Sequence, residues 1–213
     1  MMNPDGVIAG NYRTGMAGVD LNRIYKQPIR ELYPTVFHIK SMMQRFRQDR
    51  EVCLYCDLHG HSRKHNVFAY GCDASLRGGI KMEERVFIKM LELNGPGHFS
   101  LKDSRFHVKK SKDSTGRVSM WRDFDLQDCY TIEATFCGST IGPLAKMQFS
   151  QKNFEEVGTI ICDSILDYYD PDTTKKSLLL DQLRHKYAQD GDDDGDSSEG
   201  AAESAGSDST ASE

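Results

Sequence analysis

The stretch DLHGHSRKHN, Asp57–Asn66, places three histidines (His59, His61 and His65) within seven positions, beside Asp57, Arg63 and Lys64. Imidazole is a preferred zinc ligand, and a zinc site takes three or four such donors. His59 and His61 stand two apart, so on an extended chain they share one face. Asp57 is close enough in sequence to fix a histidine tautomer from behind. The same residues also suit a polar turn with hydrogen-bonded histidines, and an H-x-H pair alone does not choose between the two.

A second candidate is Glu133, in YTIEATF. A carboxylate inside an apolar run is costly to bury unless paired. It reads either as an ion-pair partner of an arginine such as Arg117 or Arg122, or as a catalytic base with a raised pKa. The third candidate is the loop from Asn11 to Arg23, where Arg13, Asn22 and Arg23 lie among Gly6, Gly10, Gly15 and Gly18. Guanidinium forks bind carboxylates through paired hydrogen bonds, and asparagine adds a donor. A carboxylate-bearing substrate would fit there; each arginine taken singly reads equally as a surface residue.

These groups need a frame. Apolar runs predict strands over Glu51–Leu58, Asn66–Tyr70 and Cys129–Phe136. Helical spacing of apolar residues predicts helices over Pro34–Arg47, Lys81–Leu93, Phe149–Tyr169 and Ser177–Tyr187, with a polar loop over Lys109–Gly116. Strands alternating with helices indicate α/β architecture. The expected organisation is one body over residues 1–172, a terminal helix within 173–187 and a disordered acidic Ser/Gly-rich tail over 188–213.

Composition narrows the function classes. The 213 residues are 38% hydrophobic, and no run approaches the ~18–20 apolar residues that span a bilayer, so no membrane association is expected. The N-terminus, MMNPDGVIAG, has neither a basic nor an apolar targeting region. The six cysteines read as reduced core thiols of a cytoplasmic protein. Cys53 and Cys56 form a C-x-x-C with no second pair, which on a strand puts them on opposite faces. The net charge of -5 conceals an asymmetry. Nine acids and no Lys or Arg lie from Ala188 onward, leaving 23 acids against 27 bases in the body. A mildly basic body favours an anionic ligand. Tyr and Phe do not alternate with basic residues in a stripe, so no nucleic-acid partner is expected.

The motifs NPDGVIAGNYR, GVDLNR, DLHGHSRKHNVFAYG, STGRVSMWR and YTIEATFCG, in this order, resemble those of the zinc carboxypeptidases. The likeness is closest to the cytosolic carboxypeptidase branch that trims glutamates from tubulin, and it runs from Asn3 to about Tyr169. It implies a mixed β-sheet flanked by helices and a Zn²⁺ cofactor. It also implies roles: His59 as a zinc ligand, Glu133 as general base and acid, and Arg13 as the group that polarises the scissile carbonyl. Asn22 and Arg23 would grip the substrate's terminal carboxylate, and Arg117 would face the side chain of the residue removed. The implied partners are polyglutamylated tubulin or other acidic protein tails.

The sequence departs from the family in one respect. Two zinc ligands are expected from an H-x-x-E motif ahead of NPDG, and none of the seven histidines has Glu three positions later. The chain is therefore expected to be the C-terminal portion of the catalytic domain, with the N-terminal half missing, and to be inactive by itself. Two other readings stand beside this one: a non-catalytic module that binds acidic C-termini, and a related amidohydrolase.

Overall fold

A computed structural model of the chain describes residues 1–190. Six helices occur in this span: α1 (Pro4–Ile8), α2 (Pro34–Asp49), α3 (Glu83–Asn94), α4 (Gly116–Asp123), α5 (Gln151–Tyr168) and α6 (Thr174–Asp190). Three strands form the sheet. β1 (Leu54–His61) and β3 (Asp128–Thr135) run parallel, and β2 (Val67–Tyr70) pairs antiparallel with the other side of β3.

The period of two assigns the faces. Tyr55, Asp57, His59 and His61 of β1 lie in register with Cys129, Thr131, Glu133 and Thr135 of β3, so all project from one face. Tyr130 and Ile132 project from the other. There they join Phe87 and Leu91 of α3, Val157 and Tyr168 of α5 and Leu183 of α6 in the larger core. The first face meets a smaller core built from Tyr25, Val36 and Met43 of α2, and Val118 and Trp121 of α4. Helices thus flank both faces of a mixed sheet, as the family resemblance implied.

Local chemistry explains the element ends. Pro34 opens α2, where its missing N–H costs nothing. The Ser150 N–H donates to Asn153 Oδ1 at 2.9 Å and closes a capping box at the start of α5. α3 ends where Gly95 and Pro96 follow.

Three boundaries differ from expectation in ways that matter. β1 continues through His61, because pairing with β3 carries it beyond the apolar run. His59 and His61 therefore lie in the strand and not in a turn after it. The chain can pair this far because Gly60 has no side chain: a Cβ there would strike the ring of Phe136. The polar segment expected over Lys109–Gly116 gives way at Gly116 to α4, which the sequence pattern did not mark. That helix is buried from Gly116 through Trp121, so it shows no single apolar stripe. Finally, α6 runs to Asp190, three residues into the stretch expected to be tail. Residues 191–213, the rest of that expected tail, lie outside the described residues.

The end of the sheet away from the histidines is tied by one carboxylate. Asp128, the first residue of β3, accepts from the hydroxyls of Tyr130 (3.0 Å), Tyr168 (3.1 Å) and Tyr169 (3.2 Å). Burial pushes its pKa up, against the three hydroxyls and Lys176, which pull it down. The fold therefore holds a proton on Asp128 that the unfolded chain releases. The stability so gained is complete below about pH 4 and is lost as pH rises through the folded value. Asp128→Asn, which keeps an acceptor without the charge, should lose less stability than the parent between about pH 4 and pH 7 in urea titrations. Asp128→Ala strips Tyr168 of its acceptor and weakens the other two bonds; it should cost about 2 kcal/mol.

Candidate active site

The register of β1 and β3 brings the two central residues together. His59 and Glu133 are direct neighbours across the pairing and share a face. Glu133 is also paired across β2 with Phe68, so it stands in the middle strand with a neighbour on each side. Neither arginine considered for it goes there. Arg122 pairs with Asp113 and Asp123, and Arg117 donates to the carbonyl of Gly71. The ion-pair reading with those two residues is not realised.

His59 is fixed from within its own strand. Its Nε2 lies 2.9 Å from Asp57 Oδ2, the contact expected of a carboxylate that orients a ligating imidazole. This leaves Nδ1 as the ring nitrogen for another partner. Burial lowers the His59 pKa. The hydrogen bond to Asp57, together with the charges of Asp57, Glu133 and Asp20, outweighs burial and leaves it raised. His61 shares the face but is used differently: its Nδ1 accepts the backbone N–H groups of Arg63 and Lys64, each at 3.1 Å. It therefore shapes the turn after β1, while His65 is exposed.

The N-terminal loop supplies the next group. Arg13 is exposed and pairs through Nε with Asp20 Oδ2 at 3.2 Å. Asp20 also accepts the Asn22 N–H at 2.8 Å, opening the short turn Leu21–Arg23. One aspartate thus links Arg13, the Asn22–Arg23 turn and the field at His59. Sequence reasoning gave Asp20 no role, although its place two residues before Asn22 is the signature of an Asx turn.

Asn22 and Arg117 are connected through the start of α4. Asn22 Oδ1 accepts the Gly116 N–H at 2.8 Å, which leaves the Asn22 amide nitrogen as a donor. Gly116 is required here: a Cβ would sit 2.6 Å from the Tyr55 hydroxyl. Arg117 is only 5% exposed, and its guanidinium lies over the Tyr70 ring at 5.8 Å. Tyr70 pairs with Thr131, two residues before Glu133 on the same face. Arg117 donates to the Gly71 carbonyl and meets Cys72 Sγ, and among the described residues its buried Nε has no hydrogen-bond partner. Arg23 is half-buried and donates only to the carbonyl of Asn22, at 2.9 Å. Tyr70, the platform under Arg117, was also missed; its alternation with Phe68 in NVFAY was the available signal.

The fit to zinc is partial. His59, oriented by Asp57 and adjacent to Glu133, suits one ligand position. Among the described residues no group of three or more His, Cys, Asp or Glu side chains could hold a metal ion, so a complete site needs donors from elsewhere. No helix among the described residues is long and apolar enough to cross a membrane.

No protein-family model matches the chain. It is 49% identical over 186 residues to cytosolic carboxypeptidase 3 of Mus musculus, covering 86% of this chain and 18% of that protein. It is 46% identical over 190 residues to cytosolic carboxypeptidase 2 of Xenopus tropicalis, covering 89% and 20%. The chain is a cytosolic carboxypeptidase homologue. Its fold superposes on a metallo-carboxypeptidase from Pseudomonas aeruginosa with a TM-score of 0.64 and 26% identity, over 78% of this chain and 44% of that one. The chain spans about a fifth of the length of the curated relatives it matches.

The His59–Asp57 pair is directly testable. In the metal-free chain, Asp57→Asn should move the His59 pKa downward in an NMR titration, since its largest raising influence is gone. A histidine raised by a partner contributes stability that is full below about pH 6.5 and fades as pH rises through its folded value. The variant should therefore be more destabilised at about pH 6 than at about pH 9.

Proposed function

We propose that this chain contributes part of the active site of a zinc-dependent metallocarboxypeptidase. In this reading the enzyme removes C-terminal or side-chain-linked glutamate from acidic protein tails in the cytoplasm, polyglutamylated tubulin among them. The observation that carries the reading is Arg117, a buried cation beside the Glu133 face with no carboxylate partner among the described residues. A buried charge without a counter-ion is costly, and an incoming carboxylate relieves that cost. Arg23 is a second, half-buried cation without a carboxylate partner among the described residues, and the Asn22 amide lies beside it. A terminal glutamate carries two carboxylates, and two separately held guanidiniums match it: Arg23 with Asn22 for the terminal group, Arg117 for the side chain.

The remaining roles are those that the family resemblance implies. Glu133, next to His59, accepts a proton on a carboxylate oxygen and returns it to the departing amine. Arg13 donates toward the oxygen that gains charge, held in position by Asp20. Zinc, held by His59 together with further donors, supplies Lewis acidity. The absence of a three-donor cluster among the described residues favours a second reading for this chain by itself, as a binding module for acidic C-termini.

Calorimetry with a triglutamate peptide should show binding to the chain that Arg23→Ala or Arg117→Ala weakens about 10- to 100-fold, the range of a charge-assisted bond. Arg117→Ala should also abolish discrimination between glutamate- and glutamine-terminated peptides. Binding unaffected by both substitutions would sink the reading. The chain alone should bind zinc weakly and release no glutamate, and binding that survives a chelator would support the module.

A further inference from the structure

The cations of the body are unevenly spread. The stretch KDSRFHVKKSK, Lys102–Lys112, holds five Lys and Arg residues against one acid, Asp103. Asp103 accepts from Asn66 Nδ2 at 3.0 Å. Lys102, His107, Lys109 and Lys110 are exposed. Arg105 donates to two backbone carbonyls, those of Lys102 and Ser104, each at 2.8 Å. Asp113, the next acid along the chain, is taken by Lys26 and Arg122. Phe106 is 1% exposed and anchors the strip to the body, so the cations on either side of it are held at the surface.

Packing fixes where this strip lies. The Arg85 guanidinium of α3 meets both the Phe106 ring, at 4.7 Å, and the Tyr187 ring of α6, at 4.4 Å. α6 ends at Asp190, within a turn of Tyr187, so the chain leaves α6 beside the strip. On its other side the strip reaches Arg117. Phe106 packs so closely on Gly71 that a Cβ there would sit 2.5 Å from its ring, and the Gly71 carbonyl accepts from Arg117. The strip also runs on through Asp113 to Gly116, where α4 opens and Arg117 follows. A row of cations thus joins the end of α6 to the surroundings of Arg117.

The 23 residues that follow α6, 191–213, carry eight Asp and Glu and no Lys or Arg. Four of the eight are Asp192, Asp193, Asp194 and Asp196, so opposite charge is densest where the chain emerges beside the strip. Fully extended, 23 residues span about 75 Å and the strip at most about 36 Å, so reach is not limiting. We propose that residues 191–213 dock on the Lys102–Lys112 strip and so screen Arg117 from acidic peptides. A tethered segment acts at an effective concentration on the order of 1 mM. A weak site of ~0.1 mM is then masked about tenfold. The docking stands on charge and place; the screening rests on the carboxylate-binding role proposed above for Arg117.

A carbodiimide joins an amine to a carboxylate only where the two are in contact. Treating the 213-residue chain at low salt should give, by mass spectrometry, links within one chain from residues 191–213 to Lys102, Lys109 or Lys110. Links confined to Lys186 on α6, or none to the strip, overturn the docking. So do links that form only between chains in a mixture of isotope-labelled and unlabelled protein, since they make a second copy the occupant. Screening is read by calorimetry with triglutamate on the full chain carrying Asp192→Asn, Asp193→Asn, Asp194→Asn and Asp196→Asn. This variant should bind about tenfold more tightly than the parent at low salt. The two should bind alike near 1 M salt, where charges are screened beyond ~3 Å. Equal affinities at low salt overturn the screening. Triglutamate that binds neither protein removes the proposed function, and the cross-links still decide the docking.

Discussion

The pairing of β1 with β3 is the constraint on which the rest of the site depends. Its register makes His59 and Glu133 neighbours, and no other contact does so. A slip of one residue would turn Glu133 to the opposite face, among the buried residues of α3 and α5, and would bring Ile132 out beside His59. The register holds because Tyr130 and Ile132 are almost fully buried on the helix side and cannot exchange places with Thr131 and Glu133 without burying polar groups. Hydrophobic burial on one face thus sets the chemistry of the other, and the two cores are coupled through a single strand.

The surroundings of the site are arranged around imbalance of charge. Several of the body's cations are answered nearby: Lys26 by Asp113, Lys40 by Asp123, Arg77 by Asp125 and Lys176 by Glu83. Among the described residues, Arg23 and Arg117 are answered by neutral acceptors. Arg117 is made tolerable by the Tyr70 ring and the Gly71 carbonyl, which offer partial negative charge without cancelling the cation. Such an arrangement gives up some stability in the free protein and gains it back when an anion arrives, which is a favourable design for recognising carboxylates. The start of α4 is held closely on both sides, by the Gly116 N–H bond to Asn22 Oδ1 and by the Tyr55 hydroxyl against Gly116.

Much of this could be read from the sequence, and the failures have physical causes. The strands and long helices were legible because burial on one face leaves a period of 2 or 3.6. α4 was not, because a short helix buried on several sides leaves no period. The ends of β1 were misplaced because strand pairing, a long-range interaction, carried the strand through the polar residues of DLHGH. For the site, residue types suggested a ligand at His59 and a carboxylate at Glu133. Their adjacency, however, is a property of register, which a local pattern does not contain. Asp57 was recognised as a supporting group because it lies two residues from His59 on the same strand. Asp20 and Tyr70 were not, because their partners, Arg13, His59 and Arg117, come together only through the fold.

The two ends of the sheet show how stability and function are kept apart. At the start of β3, Asp128 is surrounded by three hydroxyls that tie β3 to the last turn of α5. Five residues on, Glu133 stands beside a histidine whose partner is another carboxylate. Both are acids on one strand, but they project from opposite faces. Asp128 faces the large core, where its environment is closed and its bonds are satisfied by this chain alone. Glu133 faces the smaller core, beside a histidine whose Nε2 is held by Asp57. Two carboxylates on one strand thus sit in different settings: Asp128 is tied by three hydroxyls, and Glu133 stands across the pairing from a histidine, the setting that the proposed function draws on.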